Sequence, residues 1–209
     1  MDLTFNQVEA VFTRRFDMPE SKAVAFRGRL QHLQRLNFPT GVNTGRGTKA
    51  RYGWIQIIQL MMVLDLIDVG LTPDVAAKSV KKSTDELVDA ICEIISSFEG
   101  AETLARAVRK ARCPSTLTRI VIVSTFALTY PRSGGKEALF EILTSAGFAN
   151  RLLKDPAVEP AGAFVNLGSR MMLVAQIISG IVGVDLVEVA IDLLSWGRDT
   201  TNENNSADQ

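Results

Sequence analysis

A chain of 209 residues, 46% of them hydrophobic, holds enough apolar material for one large or two small cored domains. Its 23 basic and 23 acidic residues cancel, which for the chain taken as a whole argues against a nucleic-acid partner. One histidine and two cysteines, Cys92 and Cys113, assemble neither a zinc site, nor a disulfide framework, nor a nucleophile–histidine pair, so no metal, cofactor or catalytic residue is expected.

The elements follow in chain order. Thr4 and Gln7 have the spacing of a capping box, and Phe5, Val8, Val11 and Phe12 then recur at helical spacing, predicting a first helix over 4–16. "DMPE" interrupts it, and Pro19 suits the start of a second helix over 20–36, with Ala23, Phe26, Leu30 and Leu33 on one stripe. "TGVNTGRGTKARYGW", residues 40–54, has the glycine and threonine content of a hairpin with a mobile tip. "WIQIIQLMMVLDLIDV" predicts a third helix over 54–69, apolar nearly all round, with Asp65 and Asp68 marking a narrow wet face and Gly70 as its stop. Thr72-Pro73 restarts a short helix to Val80. Ser83 and Glu86 form a second capping box opening a helix to Phe98, and a further helix covers 101–112.

The character then changes. "RIVIVSTFALTY" predicts a strand over 119–129, paired with a short strand over 162–167. Between them "KEALFEILTSAGFANRLLK" predicts a helix. "SRMMLVAQIISGIVGVDLVEVAIDLLSWG" predicts one or two helices, divided at Gly180 or Gly183, and the polar end is expected to be a disordered tail. The expected fold is therefore mainly α with minor β. An N-terminal winged helix-turn-helix domain over 1–80 is followed by a helical connector over 81–114. A small α/β C-terminal domain with two paired strands covers 115–198, ahead of a tail over 199–209.

Location follows from two absences of pattern. The longest apolar run, Met171–Val184, is too short to span a bilayer. The N-terminus lacks a cationic segment ahead of an apolar one. Both predict a cytoplasmic protein with no membrane partner.

The zero net charge hides an asymmetry. Residues 1–54 carry nine Lys/Arg and four acids, net +5, while the remainder carries 14 and 19, net −5. That split points to a basic binding module joined to a different kind of domain. On a helical wheel the face of helix two opposite its apolar stripe carries Ser21, Ala25, Gly28, Gln31, His32 and Arg35, flanked by Lys22, Arg27 and Arg29. Gly28 costs about 1 kcal/mol there relative to Ala, a cost that makes sense where something must approach the backbone. Arginine can read guanine and glutamine adenine in a major groove. In the following stretch Arg46, Lys49 and Arg51 suit phosphates or a minor groove, Thr44 and Thr48 can donate to phosphate oxygens, and carboxylates are missing. Tyr52 and Trp54 are placed to anchor the base of such a wing.

"GRGTKARYGWIQIIQLMMVLDLIDVGLTPDVAAKSV" resembles the second half of the winged-helix domain of the MerR, or mercury-resistance regulator, superfamily. In those proteins a basic wing runs into an aromatic helix start, a mostly apolar helix and a short helix opened by a hydrophobic-glycine-hydrophobic element, here "VGLTPDVAAKSV". The likeness covers about 40 residues. In this chain helix two is longer, and "AFRGRLQHLQRLNF" stands where the family carries an arginine-tyrosine pair. The resemblance implies a sequence-specific transcriptional regulator that binds double-stranded DNA as a homodimer, through Ser21, Lys22, Arg27, Arg29, Gln31 and Arg35 of helix two and Thr44, Arg46, Lys49 and Arg51 of the wing. The helix over 84–98, with Leu87, Ile91, Ile94, Ile95 and Phe98 on one side, and the C-terminal helices are the expected dimer surfaces. The alternative is a protein-interaction or sensory module whose basic wing contacts RNA polymerase, RNA or an anionic ligand.

Overall fold

A computed structural model describes residues 1–42, 49–124, 140–154 and 162–207. Its described part is mainly helical, with one small antiparallel sheet.

The first helix, α1 (Phe5–Arg15), starts where the sequence places it. Thr4 accepts from the Gln7 amide at 3.4 Å, and the Gln7 side chain accepts from the Thr4 amide at 2.9 Å, so two otherwise orphaned donors are satisfied together. It buries Val8, Val11 and Phe12. Asp17, left-handed at φ 45°, turns the chain into α2 (Glu20–Arg35), which buries Phe26, Leu30 and Leu33. Asn37, also left-handed at φ 55°, ends that helix.

The third helix, α3 (Trp54–Asp68), is the axis of the molecule. Every residue from Ile57 to Leu66 is buried, as a helix apolar on all sides requires. Gly70, at φ 108°, stops it. Helix α4 (Pro73–Lys82) opens with proline in its first turn, and α5 (Thr84–Ser96) and α6 (Ala101–Arg109) follow. Ser83 stands at the start of α5 without a side-chain capping bond, so the second expected capping box is not formed.

Strand β1 (Arg119–Ser124) lies in the middle of a three-stranded sheet between β2 (Phe140–Thr144) and β3 (Gly162–Asn166), antiparallel to both. The expected pairing of β1 with β3 is present, running from Ile120 opposite Asn166 to Ser124 opposite Gly162. Strand β2 corrects the sequence reading, which has a helix there. A central strand needs partners on both edges, and "FEILT" supplies β-favouring residues that set Ile142 opposite buried Val121. The helix of that region, α7 (Ser145–Lys154), begins only after it, with Thr144 Oγ1 accepting from the Gly147 amide at 3.0 Å.

Helix α8 (Leu167–Val182) runs from the end of β3 across the buried face of the sheet and packs on α1. Its first turn sits against Cys113, where a side chain at Gly168 would come within 2.8 Å of the sulfur. Gly183, at φ 78°, separates it from α9 (Leu186–Ala207). Helix α9 packs on α5 and α6 and continues through the polar stretch expected to be disordered. Once nucleated on a buried surface, a helix gains one hydrogen bond per added residue, and neither glycine nor proline follows Gly197 to stop it. One apolar core extends from Leu3 to Leu194.

The wet face expected on α3 is half wrong. Asp68 is exposed, but Asp65 is buried and ion-paired with Arg15 of α1, whose side chain is equally enclosed. Burial pushes the Asp65 carboxyl up from its ordinary range, and Arg15 offsets part of that rise. Arg170 of α8 adds a weaker contact at 3.9 Å. The pair therefore ties α1 to the central helix from inside the core.

Candidate nucleic-acid interface

The sequence between Glu20 and Asp65 contains seven Lys/Arg and no carboxylate. It folds into α2, the connecting segment and most of α3. Helix α3 carries none of the seven, so the charge belongs to the other two. On α2, burial of Phe26, Leu30 and Leu33 forces Ser21, Lys22, Arg29, Gln31 and Arg35 outward, and all five are exposed. Ser21 and Arg35 are roughly 21 Å apart along the helix axis.

Both roots of the glycine-rich segment are fixed. At its start Gln59, buried on α3, accepts from the Thr40 amide at 3.0 Å and donates to Thr84 Oγ1 at 2.9 Å. Gln56 donates to the Thr40 carbonyl at 3.1 Å. At its end Tyr52 makes two backbone bonds with Leu3, both 2.9 Å, and its ring is buried. Gln34 of α2 donates to the Tyr52 hydroxyl at 2.7 Å. Burial pushes the Tyr52 phenol above its ordinary value, with Gln34 opposing the rise. Trp54, buried, donates its indole N–H to Asp192 of α9 at 2.7 Å. Both aromatic rings are therefore buried, with partners on the N-terminal segment, α2 and α9.

The Gln34–Tyr52 bond links the segment to α2. It ties the end of the segment, where Lys49 and Arg51 are exposed, to the C-terminal half of α2. Ser21 and Lys22 lie at the far end of the same helix. Arg27 stands apart from this group. It pairs with Glu9 of α1 at 2.5 Å and lies over the Phe5 ring, 5.3 Å from its centroid, so its guanidinium is already engaged within the fold. Thr44 and Arg46, with the tip of the expected hairpin, lie outside the described residues. Gly28 is half-buried on the outer side of α2, and a methyl group built there meets nothing within 4 Å.

The sequence reading missed the two glutamines that clamp Thr40. Gln56 and Gln59 are polar residues at i, i+3 within an otherwise apolar helix, and that spacing was the available signal. It also placed its dimer surfaces on residues that the monomer uses. Leu87, Ile91, Ile94 and Ile95 of α5 are buried where α9, α3 and α8 pack on it, and Val189, Ala190, Leu193 and Leu194 of α9 are buried in the same core. Among the described residues no helix is long and apolar enough to cross a membrane. No family model, curated protein or solved structure matches this chain.

Proposed function

We propose that the protein is a DNA-binding transcriptional regulator that docks α2 in a major groove and lays the 40–53 segment, as a wing, along the adjacent backbone. The observation that carries this reading is the exposed surface of α2, which after Glu20 carries Lys22, Arg29 and Arg35 and no carboxylate, together with exposed Lys49 and Arg51 on the segment that the Gln34–Tyr52 bond ties to that helix. A polyanion is the partner such a surface complements, because each phosphate contact releases counterions and any carboxylate would oppose it. The resemblance of residues 45–80 to the MerR superfamily winged helix agrees with it.

The residues divide by role. Gln31 and Arg35 stand where base edges would be read, Gln and Arg having the donor patterns that pair with adenine and guanine, while Arg29, about 160° around the helix from Gln31, flanks that face and suits a phosphate. Ser21, Lys22, Lys49 and Arg51 hold phosphates, and Thr44 and Arg46 extend that contact. Arg27 acts first on α1, through Glu9. Binding as two copies on paired half-sites gives one small module sufficient affinity. Sequencing the genomic fragments retained by the purified protein tests the proposal. A shared motif supports it, and fragments with no enrichment over input contradict it.

A further inference from the structure

The outermost row of α2 is Val24, Gly28, Gln31 and Arg35, spaced i, i+4, i+7 and i+11 and so within about 60° of one another around the axis. Two of these four are unfavourable choices for a helix surface. Val24 is 84% exposed, more than any other large hydrophobic side chain among the described residues. Gly28 has neither a left-handed φ nor a neighbour within 4 Å of a built methyl group, so nothing in the fold requires glycine there. A single exposed valine is ordinary on its own. This one shares a row with Gln31 and Arg35, one turn beyond Glu20, which is the only carboxylate of α2. The apolar group that duplex DNA offers to a helix in its major groove is the thymine C5 methyl.

We infer that Val24 determines specificity by packing its isopropyl group on a thymine methyl in the major groove, with Gly28 letting the α2 backbone come close. This rests on the DNA-binding reading above and names what that face selects. Gln31 lies roughly 10 Å further along the helix, about three base-pair steps away, where its amide suits an adenine. Uracil lacks the methyl group, so the same contact distinguishes DNA from RNA.

The test uses the full-length chain and a randomised duplex DNA library. The enriched duplex is resynthesised with deoxyuridine in place of each thymine in turn, which removes the methyl and keeps every base-pair hydrogen bond. At one or two positions the replacement should weaken binding by roughly three- to fivefold, the effect of one buried methyl. Val24→Ala should bind both duplexes equally at those positions, and it should fold, since the side chain is exposed and alanine favours helix. Equal binding of thymine and deoxyuridine duplexes at every position overturns the inference and leaves DNA binding standing. Discrimination that persists in Val24→Ala also overturns it. If no duplex is enriched, or RNA of the same sequence binds equally well, the underlying DNA reading fails and the inference with it.

Discussion

Gly28→Ala should make the protein more stable and Gly28→Leu should make it a worse DNA binder without unfolding it. Gly28 lies inside a 16-residue helix at ordinary helical backbone, and the added methyl meets nothing within 4 Å. No clash therefore opposes the substitution and no new packing assists it. What remains is helix propensity, about 1 kcal/mol in favour of alanine, part of it from the lost freedom of the unfolded chain. For a chain of this size that raises the melting temperature by about 2–4 °C. Leucine has nearly the same propensity, so Gly28→Leu should melt no lower than the native protein. Its side chain fills the notch at the centre of the outer face, and affinity for the enriched duplex should fall about tenfold or more, the equivalent of about 1.4 kcal/mol. Calorimetric melts and fluorescence anisotropy measure the two quantities on the same samples. A lower melting temperature for Gly28→Ala would show that glycine serves the fold. Unchanged affinity in Gly28→Leu would show that the outer face of α2 touches no DNA.

Other consequences can be checked in the same preparations. Asp65→Asn leaves the enclosed Arg15 guanidinium without its counter-ion and should cost about 3–5 kcal/mol in urea unfolding, whereas Arg15→Met with Asp65→Leu should recover most of that loss; equal stability of the single and double variants would contradict the buried pair. Burial raises both cysteine thiols to about 11, so at pH 8 Cys92 and Cys113 should stay protonated and react with a thiol reagent only after unfolding; prompt labelling of the native protein would contradict their burial. Lys49→Ala and Arg51→Ala should each weaken binding to all duplexes alike and reduce the salt slope by roughly one unit, and a change in preferred sequence instead would assign these residues to base reading. Tyr52→Phe removes the hydroxyl that Gln34 bonds and should cost about 1 kcal/mol of stability; no change in unfolding would make that link to α2 incidental.

The parts of this fold that were legible in the sequence are those governed by local chemistry. The Thr4–Gln7 box, the stop at Gly70, the all-apolar α3 and the buried stripe of α2 each follow from residues within a few turns of one another. What was not legible depends on distant partners. Strand β2 is composed of residues that serve a helix equally well, and only the free edge of β1, about 20 residues earlier, decides between them. The Arg15–Asp65 pair joins positions 50 apart, so the sequence shows an arginine and an aspartate where the fold has one buried contact. Leu87, Ile91 and Ile94 form an apolar helix face that looks available for a second copy until α9 is seen to cover it. The candidate site was legible for the same reason as the helices, because its charges lie on one element and one adjoining segment. The roots that hold that segment, at Thr40 and Tyr52, needed the tertiary structure.

The most direct test of the central claim is the salt dependence of binding to duplex DNA, compared between the native chain and a variant with Lys22, Arg29, Lys49 and Arg51 all changed to alanine. If the outer face of α2 and the 49–51 segment meet phosphates, the native protein should show a log–log slope of about −4 or steeper. The variant, still folded by circular dichroism, should lose about three to four units of it. A slope near zero in the native protein, or the same slope in both, would contradict the account.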